Sequence, residues 1–386
     1  MPTDAIVIGL GAMGSATCFQ LAARGASVIG IDQYEPPHPY GSTHGDTRIT
    51  RLAIGEGCEY VPLVRRSHEL WREIEQQAGV RLLTQSGGVI LAHADSPFLE
   101  QTRASARQYE IGHENLSAAE VADRFPMFAV DPQTEAYYEP EAGYVRPEAA
   151  VHAQLELAAR HGAQLALGER VEEWAASTNG VSVRTDVQTY EAQQLVLCAG
   201  PWLPQLFPEG ADLFAIHRQL QYWFPIRDRY EQLREMPIFV WDFGGDRNGF
   251  VHLDGFYGFP AVDGSEGGLK LATESYEQTT TPDGRQHSAT QSEIDEMYER
   301  CVAPHLPWLG AKPLRTVSCL YTNTRGSRFV IDRHPEHDAV MIVAACSGHG
   351  FKHSAAIGES VAQLVTEGAS EIDLSPFGLL RPAGPA

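Results

Sequence analysis

The sequence predicts an α/β protein of two domains, a Rossmann-like dinucleotide-binding domain and a second domain built on an antiparallel sheet. Residues 4–32 read as apolar strand, glycine turn, helix and second strand, the order of a nucleotide-binding βαβ unit. A further apolar strand at 194–198 runs into Ala199 and Gly200, and residues 213–317 are rich in aromatic residues and turns. The predicted bounds are therefore 1–80, 145–212 and 322–386 for the first domain, and 81–144 and 213–321 for the second.

The N-terminal glycine turn predicts dinucleotide binding. Gly9, Gly11 and Gly14 match the pattern GxGxxG. The first glycine of this pattern permits a tight turn, the second lets a pyrophosphate approach the backbone, and the third lets the helix pack on the strand. Asp32 ends the second strand, 23 residues after Gly9, where a carboxylate that binds ribose belongs. The glycines alone are a weak signal, and the acid at this spacing makes it specific.

The remaining elements follow from periodicity and capping signals. Residues 59–79 carry apolar side chains at helical spacing, and Ser117 with Glu120 forms a capping box that opens a short helix. Pro147 suits the first turn of a helix over 147–162. Strands are predicted at 82–94, 163–176, 181–185 and 194–198, and a last helix at 354–365.

Composition and charge exclude several functional classes. The 386 residues include 50 acidic and 29 basic ones, a formal net charge of −21, so neither nucleic acid nor an anionic membrane is an expected partner. No apolar run approaches the roughly 20 residues of a membrane span, and no basic stretch followed by an apolar one opens the chain, so we expect a cytoplasmic protein. The six cysteines form no CxxC pair, which argues against a disulfide framework and a metal site.

The segment after Asp32 favours a flavin dinucleotide, FAD, over a nicotinamide one. Instead of continuing the βαβ repeat, residues 36–48 form an irregular stretch rich in proline and glycine. Loops of this length in compact proteins are usually functional. Ala199 and Gly200 then offer a second contact point for the dinucleotide, as in two-domain flavoproteins. We therefore interpret the first domain as a Rossmann-like FAD-binding domain.

Four segments resemble one family of enzymes. They are GSTHGDTRITR at 41–51, CLYT at 319–322, FVIDRHPEH at 329–337 and CSGHGFKH at 346–353. With the N-terminal glycines they span essentially the whole chain, and together they resemble the monomeric sarcosine oxidase and N-methyltryptophan oxidase family. The resemblance implies a fold like that of D-amino-acid oxidase, FAD as cofactor, oxidation of secondary amino acids, and transfer of electrons to O2 to give H2O2.

The resemblance implies that Cys319 carries FAD covalently through an 8α-S-thioether. That role needs a thiol that faces the flavin without competing thiols, and no other cysteine is close to Cys319 in the sequence. Gly348, His349 and Gly350 belong to a loop before the last predicted helix. Free backbone N–H groups and the positive end of that helix would stabilise an anionic reduced flavin there.

The resemblance also assigns residues to the substrate and to O2. Arg51 and Lys352 would hold the substrate carboxylate, and Tyr257 and Tyr321 would line the substrate pocket. Lys270 would be the preorganised cation beside the flavin where O2 is activated, since electron transfer to O2 creates negative charge.

His44, Thr47 and Arg48 complete the predicted catalytic set with Lys270. His44 and Thr47 match residues of the flavin environment in the family. Arg48 and Arg51 are three residues apart, so their side chains would project from similar faces if this stretch is helical. Two guanidinium groups suit a carboxylate and an anionic flavin, because each presents a planar fork of donors. No residue stands out as a general base.

Two positions depart from the family pattern. Glu274 follows Lys270 by four residues, where the family has an active-site histidine. An acid there favours a substrate with a second positive charge, or a pocket of different shape. Arg325 and Gly326 stand where the family usually has an acidic residue, which changes the charge near the entrance of the site.

The predicted function is an FAD-dependent oxidase of N-methyl or cyclic secondary L-amino acids that gives an imine or aldehyde and H2O2. We expect a monomer whose partners are a small amino acid and O2. Three alternatives stay open at this point. They are an amine dehydrogenase of the dimethylglycine type with an acceptor other than O2, a pipecolate or proline oxidase, and a flavin-binding or assembly protein without catalysis.

Overall fold

The computed structural model describes residues 3–244 and 254–379, so residues 245–253 of the predicted second domain and 380–386 of the first lie outside it. The strands are β1 (Thr3–Ile8), β2 (Val28–Asp32), β3 (Arg48–Thr50), β4 (Leu83–Thr84), β5 (Gly88–His93), β6 (Glu114–Ser117), β7 (Thr134–Glu139), β8 (Gly143–Val145), β9 (Gln164–Leu167), β10 (Val171–Ser177), β11 (Gly180–Thr185), β12 (Thr189–Leu197), β13 (Phe214–Phe224), β14 (Ile238–Asp242), β15 (Gly255–Gly258), β16 (Leu269–Thr273), β17 (Arg315–Thr324), β18 (Val330–His334) and β19 (His337–Ala344).

The α-helices are α1 (Ala12–Ala23), α2 (Val61–Ala78), α3 (Pro97–Gln108), α4 (Ala118–Arg124), α5 (Pro147–Arg160), α6 (Leu203–Leu206), α7 (Tyr230–Glu235), α8 (Gln291–Met297), α9 (Ala303–His305) and α10 (Ser354–Thr366). Local signals explain their ends. Ser117 and Glu120 form the predicted capping box of α4. Pro147 occupies the first turn of α5, and Gly79 ends α2 in the left-handed conformation.

The first sheet gathers the nucleotide-binding signals at one edge. Its order is β10-β11-β12-β1-β2-β9, with β19 beside β12 and β18 beside β19. Strands β9, β2, β1, β12 and β19 run parallel. Because the carboxyl ends of parallel strands meet at one edge, the turn at Gly9, the acid Asp32, Ala199 and the loop 345–350 lie together there.

The second sheet has the order β17-β13-β16-β15-β14-β5-β7-β6. Its neighbours are antiparallel, as predicted, except that β14 and β5 pair in parallel. That pair joins the two segments assigned to the second domain. Strand β17 runs to Thr324, past the predicted bound between residues 321 and 322. The two-domain division itself stays a prediction.

A third, three-stranded sheet in the order β3-β8-β4 carries Arg48. The stretch is therefore a strand, and our condition that Arg48 and Arg51 share a helix face is wrong. Pairing with β8 supplies the backbone hydrogen bonds that a helix would otherwise provide.

The apolar core of the first sheet lies on both of its faces. Along β1, Ala5 and Val7 join a cluster with helices α1, α2, α5 and α10, whereas Ile6 and Ile8 join a separate cluster on the other face. Successive side chains of a strand point to opposite faces, so a strand buried on both reads as a continuous apolar run. Another cluster, with Phe239 and Phe256, packs against the second sheet.

Candidate active site

A cavity of about 720 Å³ brings together most of the predicted site residues. Those that line it are Gly9, Gly11, Asp32, Arg48, Arg51, Ala199, Gly200, Tyr257, Glu274, Tyr321, Gly348, His349, Gly350 and Lys352. The other predicted residues, Gly14, His44, Thr47, Lys270 and Cys319, are not among its lining residues. The cavity is therefore shared by the nucleotide edge of the first sheet and by the second sheet.

The nucleotide end of the cavity has the close backbone approaches that its glycines predict. Gly9 has a φ of +86°, and a Cβ added there would lie 2.6 Å from the carbonyl oxygen of Cys198. A Cβ on Gly14 would lie 1.8 Å from the Gly9 oxygen, so helix α1 can approach the turn only with glycine at this position. This cradle fits the pyrophosphate of a dinucleotide such as FAD.

The carboxylate of Asp32 is held in place at the same end. Its two oxygens accept hydrogen bonds from the backbone N–H groups of Leu10 at 2.8 Å and Tyr34 at 2.9 Å. The group also lines the cavity, and a carboxylate has lone pairs beyond these two. Asp32 can therefore organise the glycine turn and still accept from a ribose hydroxyl.

The loop before α10 forms another wall. A Cβ on Gly350 would lie 1.7 Å from the Ala345 oxygen, and Gly348 has a φ of +81°, so both positions require glycine. A short 3-10 turn (Phe351–His353) leads into α10. Lys352 Nζ donates to the His349 oxygen at 2.8 Å, so the lysine is folded back onto this loop and faces the cavity.

His349 has a structural setting. Its Nε2 lies 3.1 Å from the Ser327 oxygen, and its ring stacks on Phe329 at 4.7 Å between centroids. Burial lowers the pKa of His349 to about 4, although the charge of Glu56 opposes the shift. At neutral pH the ring is therefore an uncharged part of the wall.

Two cations and one acid form a charged cluster in the cavity, which we call the carboxylate clamp (Arg51, Glu56, Lys352). Arg51 donates to Glu56 Oε2 at 2.6 Å and also to the Ala53 oxygen. Lys352 Nζ lies 3.5 Å from Glu56 Oε1. Burial opposes ionisation of Glu56, but Arg51 and Lys352 outweigh it and hold the pKa of Glu56 well below its usual range. Arg51 and Lys352 thus converge on one carboxylate.

Glu56 is a site residue that the sequence analysis missed. The available signal was an acid that follows Arg51 by five residues, after the apolar stretch 52–55. An isolated charge in such a stretch suggests a buried partner.

A second missed acid holds the loop that carries the clamp. Glu139 accepts hydrogen bonds from the backbone N–H groups of Leu52 at 2.6 Å and Ala53 at 3.1 Å. The Tyr137 hydroxyl lies 3.1 Å from the same carboxylate. Burial raises the pKa of Glu139. Because Glu139 satisfies two buried donors directly after Arg51, it fixes the direction in which that guanidinium leaves the chain.

Lys270 lies behind the cavity wall in a cage of oxygens. Its Nζ donates to the Gly45 oxygen at 2.5 Å, the Thr47 carbonyl at 2.8 Å and the Thr47 hydroxyl at 3.2 Å. Burial, and next the charge of Arg48, lower the pKa of Lys270 well below its ordinary value. The charge of Asp46 opposes that shift, and the three oxygen acceptors match the three N–H groups of an ammonium. Glu148 accepts from the Gly45 N–H at 2.6 Å and so holds this cage in place.

Arg48 organises the same loop. It donates to the backbone oxygens of Ser42 at 2.7 Å, His44 at 2.6 Å and Thr47 at 2.9 Å, while its side chain also lines the cavity. Burial lowers the pKa of His44 to about 3, with Arg48 as the next cause. The imidazole of His44 is therefore neutral at ordinary pH.

Cys319 is buried on β17, and Gln221 Nε2 lies 3.2 Å from its sulfur. Cys346 lines the cavity, whereas Cys319 does not. All six cysteines are free thiols. Cys319 is also among the groups that raise the pKa of Cys346, after burial, so these two thiols lie near each other. Covalent attachment at Cys319 stays a prediction.

Tyrosines and Glu274 close the far side of the cavity. The hydroxyls of Tyr257 and Tyr321 lie 3.4 Å apart. Tyr276, which the sequence analysis missed, donates to Glu274 Oε2 at 2.7 Å. Burial raises the pKa of Glu274 to about 7. At the other position that departs from the family pattern, Gly326 lines the cavity and Arg325 is exposed.

The comparison with protein families agrees with this geometry. The family model described as FAD dependent oxidoreductase matches residues 4–364. The chain belongs to this family. It is an FAD-dependent oxidoreductase, and its mixed α/β architecture confirms the predicted fold class.

Two curated relatives indicate which oxidoreductases of the family this chain resembles. The oxidoreductase is 40% identical to a monomeric sarcosine oxidase of Streptomyces avermitilis over 385 residues, which covers 98% of this chain and 97% of the relative. It is 33% identical to an N-methyl-L-tryptophan oxidase of Yersinia pestis, with 99% and 100% covered. The predicted membership of this family is confirmed.

Solved structures share the fold of this oxidoreductase. NikD, an unusual amino acid oxidase essential for nikkomycin biosynthesis, matches in its open form with a TM-score of 0.83 and 23% identity, over 98% of both chains. L-proline dehydrogenase from P. horikoshii matches with a TM-score of 0.81 and 21% identity, over 98% of this chain and 96% of the other.

In residues 3–244 and 254–379, no helix is long and apolar enough to cross a membrane. Across the same described ranges, no group of His, Cys, Asp and Glu side chains has the arrangement of a metal site.

Proposed function

We propose that this oxidoreductase is an oxidase of N-methyl or cyclic secondary L-amino acids that releases an imine or aldehyde and H2O2. The observation that carries the proposal is the carboxylate clamp inside the cavity that also contains the dinucleotide glycines. The clamp already binds a carboxylate, that of Glu56, through Arg51 and Lys352.

The Glu56 carboxylate stands in for that of a substrate. A small amino acid whose carboxylate replaces it makes charge-assisted hydrogen bonds to the same two cations. Its Cα lies one bond and its amino nitrogen two bonds beyond that carboxylate carbon, which leaves the C–N bond in the same cavity. The clamp therefore selects amino acids over simple amines, because an amine leaves both cations without the anion that they bind.

FAD, when bound, supplies the two-electron redox chemistry, and the protein supplies binding and orientation. The glycine turn and Asp32 would hold its nucleotide part. Gly348, Gly350 and the N-terminal end of α10 would face its ring system with backbone N–H groups. Tyr257 and Tyr321 line the cavity, and their rings would limit water around the amine.

Oxygen as acceptor rests on Lys270. Its ammonium, caged beside Arg48 and the Gly45–Thr47 backbone, would stabilise negative charge that develops on O2. Attachment of FAD at Cys319, the monomeric state and the cytoplasmic location belong to the same proposal and rest on the sequence.

The test is turnover of a substrate panel by the purified holoenzyme. Sarcosine, larger N-methyl-L-amino acids, L-proline and L-pipecolate are each supplied in air, and H2O2 is measured. Bleaching of the flavin by the same compounds is followed under argon. We expect H2O2 from at least one secondary amino acid, and Arg51→Met should abolish it while Arg65→Met, on an exposed arginine of α2, keeps it.

The outcomes separate the alternatives. Bleaching under argon without H2O2 in air would indicate a dehydrogenase with another acceptor. Exclusive turnover of L-proline or L-pipecolate would indicate an imino acid oxidase. A flavin that no member of the panel bleaches would refute the proposed function.

A further inference from the structure

Glu274 is an acid of the cavity that the carboxylate clamp does not use. It directly follows β16 and lines the cavity, through which part of its surface stays accessible. Its Oε2 accepts a hydrogen bond from the Tyr276 hydroxyl at 2.7 Å.

No described cation neutralises this carboxyl group. Within residues 3–244 and 254–379, none of the ion pairs includes Glu274, whereas Glu56 is paired with both Arg51 and Lys352. Burying a carboxylate without a directly paired cation is costly and favours its neutral form, so a cationic or donor group of a ligand in the cavity would stabilise the ionised form. The ligand that suits it carries a positive charge or a donor.

The groups around Glu274 come from several elements. Burial raises the pKa of Glu274 to about 7, and the charge of Glu56 raises it too. The hydrogen bond from Tyr276 and the charges of Lys352 and Arg51 act in the opposite direction and lower that pKa. Burial raises the pKa of Tyr276 and of Tyr321, and the charge of Glu274 adds to both shifts. Glu274 therefore lies in the electrostatic field of the clamp and lines the same cavity.

A zwitterionic amino acid is complementary to this arrangement. Its carboxylate matches Arg51 and Lys352, and its ammonium matches Glu274. A protonated amine has no lone pair on nitrogen, so it must lose a proton before the C–N bond is oxidised. On the basis of the proposed function, we propose that Glu274 binds the substrate's ammonium group and accepts its proton, which leaves the free amine next to the bound flavin.

The step balances as a proton transfer. The N–H bond of the ammonium breaks and its electron pair stays on nitrogen, while an O–H bond forms on the Glu274 carboxylate. Nothing is oxidised or reduced in this step. Tyr276 donates to the ionised carboxylate and so keeps it available as an acceptor.

The first test is the pH dependence of kcat/KM for the best substrate of the panel. Glu274→Gln should lower kcat/KM at neutral pH by about 100-fold or more, the usual size of a general-base contribution. The acidic limb of its profile should move up to the pKa of the free substrate's amino group. Glu266→Gln, on an exposed acid shortly before β16, is the matched control and should keep the wild-type profile.

A second variant and a binding measurement guard against misfolding. Tyr276→Phe removes a hydrogen bond that lowers the pKa of Glu274, so its acidic limb should move to higher pH. Its kcat/KM at neutral pH should therefore fall, while the value on the plateau above that limb is kept. By calorimetry, Glu274→Gln should weaken binding of N-methylglycine and keep or tighten binding of propionate, which has the carboxylate but no amine. Retained propionate binding shows an intact clamp.

The results can overturn the inference separately from the proposed function. An unchanged pH profile in Glu274→Gln, with an active wild type, refutes the role of Glu274. Loss confined to substrates with a second cationic group refutes it too, since Glu274 would then recognise a side chain. If the wild type oxidises no secondary amino acid, the proposed function fails, and the comparison of N-methylglycine with propionate still decides whether Glu274 binds the ammonium.

Discussion

Glu56→Gln is the substitution that most directly tests the carboxylate clamp. Glu56 Oε2 accepts a hydrogen bond from Arg51 at 2.6 Å, and Glu56 Oε1 lies 3.5 Å from Lys352 Nζ. An incoming carboxylate therefore has to displace Glu56 from these two cations. A glutamine keeps the shape and removes the charge. A hydrogen bond to a charged group contributes about 1.5–3 kcal/mol, so relief of this competition should tighten carboxylate binding by about 10- to 150-fold.

The same substitution should change stability and pH dependence. It leaves two buried cations without their anion, and removal of one partner from a buried charge pair costs about 3–5 kcal/mol, so the free energy of unfolding should fall. Glu56 is also the main group that raises the pKa of Lys352 against burial. Without Glu56, Lys352 should lose its proton at lower pH than in the wild type.

Calorimetric titration with propionate measures the first effect, and chemical denaturation of the ligand-free enzyme measures the second. Glu59→Gln, on the next acid along the same loop, is the control and should leave propionate affinity unchanged. An unchanged dissociation constant in Glu56→Gln would refute the reasoning, because Glu56 would then not occupy the carboxylate site.

Three further predictions concern the cofactor, oxygen and pH. Cys319→Ser should yield enzyme whose flavin is released by acid precipitation, and flavin that stays covalently bound would exclude this thiol. Lys270→Met should slow reoxidation of the reduced enzyme by O2 far more than its anaerobic reduction by substrate in stopped-flow traces, and equal slowing would contradict its oxygen role. Burial lowers the pKa of Lys352 to about 8. Propionate affinity should therefore fall as pH rises through about 8, as the lysine loses its charge; affinity that is flat to higher pH would show that Lys352 does not bind the carboxylate.

The candidate site was predicted in part because some of its signals are local. Gly9 and Gly14 can be recognised by their spacing, since a turn and a helix start need glycine at fixed offsets from a strand. Glu139 and Glu148 gave no such signal. Each holds a loop more than 80 residues away in the sequence, and only folding brings those backbone donors to them.

The strand at Arg48 is a case in which a partner distant in the sequence decides the local conformation. Three-residue spacing alone permits a helix, but the partner strand β8 lies far along the chain and decides the conformation. Glu56 is intermediate between these local and distant cases. Its partner Arg51 is only five residues away in the sequence, and an acid after an apolar stretch can be recognised from the sequence.

The sequence by itself determined that this protein has a dinucleotide-binding sheet and which family it belongs to, because these follow from local patterns and from motifs along the whole chain. Only the tertiary structure decided that Arg51 and Lys352 converge on one carboxylate, that Lys270 sits in an oxygen cage, and that Glu274 faces the cavity without a described cation. Those facts depend on distances between residues far apart in the chain, which packing of the two large sheets sets and which no local pattern encodes.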